Sequence, residues 1–116
     1  MKNFPKVLLI LSLIFLYPLK GNSAEILQIN SSSSIFVGDQ NRNLHISLYC
    51  IDVNDKDELK ATKILKKEFP RGSKVKIKPF GFKENILLAK VFNLKGTKEM
   101  SELLIAKDLT KEVCLN

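Results

Sequence analysis

The sequence predicts an α+β fold that is mainly β, and three patterns indicate it. Apolar and polar side chains alternate over residues 44–51, which is the period of a strand with one buried face. Apolar residues then recur at helical spacing over residues 59–69. Further on, lysines alternate with Val75 and Ile77 in a second strand pattern. The chain therefore combines strands with at least one amphipathic helix.

The first part of the domain is predicted to form a strand followed by a β-hairpin. Residues 25–30 alternate apolar and polar side chains, and the serines at 31–34 predict a turn because they lie between apolar segments. Residues 35–37 are β-branched and aromatic, as strands prefer. The polar residues 38–43 then predict the hairpin turn that leads into the strand starting at Leu44.

A lysine-rich helix is predicted after this strand. Asp55 and Glu58, three residues apart, predict a capping pair at its N-terminus. Pro70 and Gly72 predict its end, because proline lacks a backbone donor and glycine lets the chain turn. The apolar stripe of the helix is predicted to comprise Leu59, Ala61, Ile64, Leu65 and Phe69.

A second hairpin and a second helix are predicted next. Residues 74–78 and 86–92 have strand patterns, and residues 81–85 link them. A helix is expected to begin near Thr97, since apolar residues spaced three and four apart follow it, namely Met100, Leu103 and Leu104.

The tail at residues 109–114 is expected to close the sheet as a short strand. The predicted order of elements is strand, hairpin, helix, hairpin, helix and short strand. This order is consistent with a partly open barrel of five strands and two helices, the OB-fold. A small α+β sandwich is the alternative fold.

The first 24 residues have the three-part pattern of a secretory signal peptide. Lys2 and Lys6 precede an apolar run at residues 7–17, and the segment ends at Ala24. Eleven apolar residues are too few for a helix that must cross about 30 Å of hydrocarbon. We therefore expect residues 1–24 to be cleaved, the protein to be exported to the periplasm or the medium, and no permanent membrane span. A retained anchor is the alternative.

The remaining residues 25–116 are enough for one small domain and its core. The leader holds three lysines and no acidic residue, so the net charge of +7 for the whole chain falls to +4 for this domain. A mild basic excess permits binding to polyanions without requiring it.

Cys50 and Cys114 are the two cysteines of the chain. In an exported protein they can form a disulfide, whose loop would contribute about 4 kcal/mol by the loop-entropy model. The alternative is a buried Cys50 that acts as a small apolar residue and a free Cys114 at the frayed terminus. The sequence favours neither.

The segment at residues 44–57 has a strand that stops at the acidic stretch 52–55 before a helix. This place and order resemble the staphylococcal nuclease (thermonuclease) family, whose third barrel strand carries an arginine and ends in Asp-Thr-Pro-Glu. The family's Asp-Gly-Asp-Thr motif falls on residues 31–34, and its Arg-Gly-Leu-Ala motif on residues 86–89. The resemblance covers residues 25–114 and implies an OB-fold.

The resemblance also implies where a nuclease site would lie. A calcium-binding aspartate of the family falls on Ser33, its two arginines fall on Ser47 and Ile86, and its glutamate falls on Asp55, so only Asp52 keeps its residue type. Cleaving a phosphodiester in this way needs a hard cation, oxygen ligands and arginines that offset phosphate charge.

Asp52 and Asp55 are therefore the candidate ligands for Ca²⁺, although two carboxylates alone supply little charge to hold it. The alternative role of both residues is structural, at the start of the helix. Activity at the level of the family is not expected.

A basic set of residues spans the first helix and the strand after it. OB-folds that hold single-stranded nucleic acid combine such charge with aromatic side chains on which bases stack. The alternative is a solvated helix face and an edge strand that lysines protect from aggregation. The candidate nucleic-acid-binding residues are Arg71, Lys74, Lys76, Lys78, Tyr49 and Phe80, with Phe82 beside them.

Three functions are compatible with these features. The first is an exported, catalytically impaired thermonuclease-like domain that binds a ligand, with single-stranded nucleic acid as the first candidate. The second is an active calcium-dependent nuclease with a remodelled site. The third is an envelope module that binds a protein or an oligosaccharide through the same groove.

Overall fold

A computed structural model describes residues 23–114, so nearly all of the predicted signal peptide lies outside the described residues. Within these residues there are five strands and two helices. In chain order they are β1 (Ala24–Ser31), β2 (Ser34–Asp39), β3 (Arg42–Leu48), α1 (Asp55–Glu68), β4 (Lys74–Lys83), β5 (Ile86–Asn93) and α2 (Met100–Ala106).

The strands form a closed barrel in the order β1-β2-β3-β5-β4. β3 pairs in parallel with β5, and the other neighbours are antiparallel. β1 and β4 close the barrel through the pairs Ala24 with Val75 and Glu25 with Lys74. The predicted α+β barrel of the OB type is confirmed. α1 joins β3 to β4 in the chain and packs against β1.

Period-two alternation in β3 divides its side chains between the barrel interior and the outer surface. Ile46 and Leu48 are buried in the core, as the pattern predicts. Ile35 of β2 pairs with Ile46, and both are fully buried. The turn between these strands consists of Gln40 and Asn41, whose φ values of 48° and 67° match the two-residue turn that twisted hairpins favour.

The apolar stripe of α1 differs from the prediction at one position. Ala61, Leu65 and Phe69 are buried against the barrel, but Leu59 is 71% exposed. Two residues along a helix are about 200° apart, so Leu59 lies on the opposite side from Ala61. Thr62 is buried in its place, and its hydroxyl donates to the carbonyl of Glu58.

The predicted capping pair at the start of α1 is also wrong. Asn54 is the N-cap residue and makes no capping hydrogen bond with its side chain, while Asp55 is the first residue of the helix. Glu58 is directed elsewhere, because its Oε1 accepts a hydrogen bond of 2.7 Å from the backbone N–H of Ser32. The carboxylate therefore holds the turn between β1 and β2.

The second helix begins at Met100, three residues after the predicted Thr97. Thr97 belongs to a turn in which Asn93 Oδ1 accepts from the backbone N–H groups of Thr97 and Lys98. Glu99 caps the helix, since its carboxylate accepts from the N–H groups two and three residues on. Neither helix within residues 23–114 combines the length and the apolar character needed to cross a membrane.

The C-terminal tail follows the barrel without joining it as a strand. Its one pairing in the described part of the chain is an isolated bridge between Ile51 and Glu112. The expected closing strand is therefore not formed there, because β1 and β4 already pair with each other.

A disulfide joins Cys50 to Cys114, with their Cα atoms 5.0 Å apart. Of the two alternatives that the sequence left open, the structure has the disulfide. The tail is held by hydrogen bonds as well, since the N–H of Val113 donates to the carbonyl of Cys50 over 2.8 Å. Thr110 Oγ1 also bonds both backbone groups of Asp52. The tail is thus fixed against the end of β3.

Candidate nucleic-acid interface

The outer face of β3 carries the side chains that connect the candidate site residues. Asn43, His45 and Ser47 alternate with the inward Leu44, Ile46 and Leu48, and Tyr49 continues the outer series just past the strand. The N–H of Tyr49 still bonds the carbonyl of Ala89 in β5 over 3.0 Å, which keeps the residue in line with the sheet.

Three of the family-equivalent positions meet in one pocket. Ser33, Ser47 and Ile86 line an open pocket of about 290 Å³, together with Lys83, Glu84 and Leu88. The pocket lies between the β1–β2 turn and the β4–β5 turn, over the parallel pair of β3 and β5. OB-folds commonly bind ligands near these two turns.

The two candidate metal ligands do not line this pocket. Asp52 and Asp55 are both exposed, on the segment between β3 and α1. The backbone of Asp52 is occupied by Thr110, and Asp55 opens α1. Within residues 23–114, no three side chains of the His, Cys, Asp or Glu type are grouped so that they could hold a metal ion.

An aromatic and basic cluster lies beside the pocket on the same outer face. The rings of Tyr49 and Phe80 are stacked, with centroids 4.0 Å apart and planes 7° from parallel. Lys78 Nζ lies 5.5 Å and Lys90 Nζ 5.9 Å from the centroid of the Phe80 ring. Tyr49, Phe80, Lys78 and Lys90 are called the stacking cluster below.

Lys90 was not predicted as part of this cluster, because a β-bulge places it there. A plain ladder counted from the pair Lys83 and Ile86 would set Lys90 opposite Pro79. The register shifts between Pro79 and Gly81, so Lys90 lies opposite Lys78 instead. The sequence signal for the bulge is Gly81, whose φ of 145° suits glycine.

The remaining predicted basic residues are not all in one place. Lys74 lies 3.8 Å from the carboxylate of Glu25, and Lys76 is exposed on β4. Arg71 is not part of the stacking cluster and lines a separate groove with Lys66. Lys78, Tyr49 and Phe80 are thus the predicted nucleic-acid-binding residues that the structure brings together.

No protein-family model matches the chain, and no curated protein matches it in sequence. The resemblance to the thermonuclease family therefore remains a prediction, and the function of the domain is argued from its own side chains.

A second aromatic contact lies further along the outer face of β3. His45 stacks on Phe36 of β2, with ring centroids 4.5 Å apart and planes 15° from parallel. His45 Nε2 is 3.0 Å from Ser34 Oγ, which fixes the ring over the sheet. Both aromatic residues are half-buried. The sequence gives no signal of this stacking.

Proposed function

We propose that this domain binds single-stranded nucleic acid on the outer face of β3, β5 and β4, as a catalytically impaired relative of the thermonuclease family. The observation that carries the proposal is the stacking cluster, in which two aromatic rings and two lysines meet beside a pocket. Single-strand binders of this fold class use both components, aromatic faces for bases and cations for phosphates.

The exposure of the cluster favours a ligand over a purely structural role. Phe80 is 41% exposed although it is a large apolar residue. A base stacked on such a ring contributes about 1–3 kcal/mol by alanine substitution, whatever its identity. Phe80 therefore presents a stacking surface that tolerates many sequences.

The charge arrangement favours an anionic ligand. Lys78 and Lys90 occupy directly opposed positions on β4 and β5, and like charges in this position destabilise an antiparallel pair. Neither ammonium group has an ionic partner within residues 23–114. A phosphate bound between them would offset the repulsion, since it brings the opposite charge to both.

The pocket composition supports binding without cleavage. The family's mechanism relies on two arginines and a cation, and this pocket presents Ser47, Ile86 and Ser33 at the corresponding positions. Losing one charge-stabilising donor typically costs about 3 kcal/mol in the transition state. Hydrolysis by the family's route is therefore strongly disfavoured, whereas a base or sugar still fits the open pocket.

The proposal is tested by measuring fluorescence anisotropy of a labelled single-stranded oligonucleotide across a salt series. We expect binding at low salt that weakens linearly on logarithmic axes, because bound cations are released from the phosphates. A duplex of the same length is the control, and it should bind more weakly because its bases are already stacked. Absence of binding at the lowest salt refutes the proposal.

The two competing functions give different results with the same protein. An active calcium-dependent nuclease would shorten the oligonucleotide with Ca²⁺ and leave it intact with chelator, whereas we expect it intact in both. A neutral oligosaccharide would bind with an affinity that does not change with salt, because it carries no phosphates. A protein ligand from the envelope would compete with the oligonucleotide for the stacking cluster.

We also propose that the protein is exported and that residues 1–24 are removed. The disulfide between Cys50 and Cys114 supports export, because such bonds persist in oxidising compartments. Mass spectrometry of the protein recovered outside the cytoplasm should give an N-terminus at Glu25. Recovery with residues 1–24 still attached would favour the anchored alternative.

A further inference from the structure

We infer that the bound strand continues along β3 beyond the stacking cluster, into the groove at Lys66 and Arg71, which anchors its other end. This inference rests on the proposed function and extends it. The ligand is then a strand of several nucleotides held by two separate basic regions, and not a mononucleotide or the short end of a strand.

The groove has a volume of about 600 Å³. It lies between the outer face of β1 to β3 and the segment where α1 leads into β4. Leu27 and Phe36 supply partly exposed apolar walls over a buried floor. Gln28 and Asn43 supply amide groups, and Lys66 and Arg71 supply the charges at its edge. This combination suits a ligand with flat apolar parts and an anionic backbone.

The two cations of the groove are available to a ligand. Within residues 23–114, the side chains of Lys66 and Arg71 have no hydrogen-bonding or ionic partner, and both residues are exposed. No acidic residue lines the groove, so nothing within it neutralises them. By contrast, Lys74 and Lys98 are paired with Glu25 and Glu68.

β3 connects the groove to the stacking cluster without a break. Asn43 lines the groove, and Phe36, which also lines it, stacks on His45. Ser47 lines the pocket described above, and Tyr49 begins the stacking cluster. These outward residues of β3 are successive positions on one face of the sheet. The six residue-to-residue steps from Asn43 to Tyr49 span about 20 Å, at roughly 3.3 Å per step.

This length sets the number of nucleotides that the surface can hold. At about 3.4 Å per stacked nucleotide, 20 Å corresponds to about six nucleotides, and to fewer in an extended strand. That number lies within the usual site size for one OB barrel, about 4–16 nucleotides. An oligonucleotide of two or three residues can contact only one of the two basic regions, whereas one of eight residues contacts both.

The test compares oligonucleotides of two, four, six, eight and ten residues on the wild-type domain and on K66A/R71A. We expect wild-type affinity to rise with length up to about six nucleotides and then level off. For the eight-residue oligonucleotide, K66A/R71A should bind more weakly, and its logarithmic salt slope should be smaller by about 1.4, since two phosphate contacts are lost. For the two-residue oligonucleotide, the variant should bind like the wild type.

The control is K60A/K107A, which removes the same charge from two exposed lysines that line neither the groove nor the pocket. Equal losses in both variants would overturn the inference, because general charge would then explain the effect. Unchanged binding of the eight-residue oligonucleotide by K66A/R71A would also overturn it and leave the stacking cluster as the whole site. Failure of the wild type to bind any length would instead refute the proposed function itself.

Discussion

The rings of Tyr49 and Phe80 stack across β5, a strand that contains neither residue. Tyr49 follows β3, Phe80 lies in β4, and β5 runs between these two strands in the barrel. The stacked rings therefore bridge over β5 at a centroid distance of 4.0 Å. Phe80 lies at the bulge of β4, and β3 pairs in parallel with β5 beside it. A closed barrel thus builds an aromatic platform on its outside.

Replacing Phe80 by alanine should weaken binding of single-stranded nucleic acid. Loss of one stacking ring costs about 1–3 kcal/mol, which corresponds to about 5- to 150-fold in the dissociation constant. Phe82→Ala is the matched control, because Phe82 is 69% exposed on the same strand and is not part of the stacking cluster. Anisotropy titrations at one salt concentration measure both. A similar loss in the two variants would contradict a specific role for Phe80.

Replacing Lys90 by glutamine should raise the stability of the domain and lower its affinity for nucleic acid. The opposed pair of Lys78 and Lys90 destabilises the hairpin, so removing one charge should raise the free energy of unfolding by about 0.2–1 kcal/mol. The same change should lower the affinity for nucleic acid and reduce the salt slope by about 0.7. Urea denaturation and anisotropy give the two quantities.

Lys76→Gln is the control for this prediction, since Lys76 is exposed on β4 and lies opposite Phe92 rather than another cation. It should change neither quantity by a comparable amount. A Lys90→Gln variant that is less stable than the wild type would show that the contact of Lys90 with the Phe80 ring outweighs the repulsion from Lys78.

The fold could be predicted from the sequence because most of its signals are local. Alternation in β3 predicted the buried Ile46 and Leu48, and Pro70 with Gly72 predicted the end of α1 near Phe69. Errors arose where two segments distant in the chain compete for the same partner. The tail is expected from the sequence to pair in the sheet, but β1 occupies the edge of β4 and the tail makes only a bridge between Glu112 and Ile51.

The candidate site could be predicted only in part, because some of its residues are brought together by irregular features of the backbone. Ser33, Ser47 and Ile86 were placed together by a family resemblance, and the barrel brings them into one pocket. Lys90 and the groove at Lys66 and Arg71 depend on a bulge and on how α1 leaves the barrel. Neither geometry has a periodic sequence pattern, so reasoning from spacing missed both.

Replacing Glu58 by alanine should destabilise the domain and loosen the β1–β2 turn beside the pocket. Glu58 Oε1 accepts a 2.7 Å hydrogen bond from the N–H of Ser32, a residue that is only 6% exposed. The Ser32 carbonyl accepts in turn from the N–H of Leu48. A hydrogen bond to a charged group contributes about 1.5–3 kcal/mol, and this loss should appear in urea denaturation.

Asp57→Ala is the control for Glu58→Ala, because both acidic residues lie in the first turn of α1. Each loses the favourable interaction with the helix dipole, about 0.3–1 kcal/mol, so the difference between the variants reports the bond to Ser32. Equal destabilisation by the two variants would show that this bond contributes nothing measurable.

Removing the disulfide should lower stability without changing the backbone strain at its first cysteine. Cys50 has a φ of 63°, a conformation that is unfavourable for cysteine and for serine alike. The strain therefore remains in C50S/C114S, and the variant isolates the cross-link. The 64-residue separation predicts a loss of up to about 4 kcal/mol in the free energy of unfolding.

Urea denaturation should give this loss in the variant and, with reductant, in the wild type. Reductant should leave the variant unchanged, because it has no disulfide to lose. Equal midpoints for the oxidised and reduced wild type would contradict the prediction, and the cross-link would then follow from folding without stabilising it.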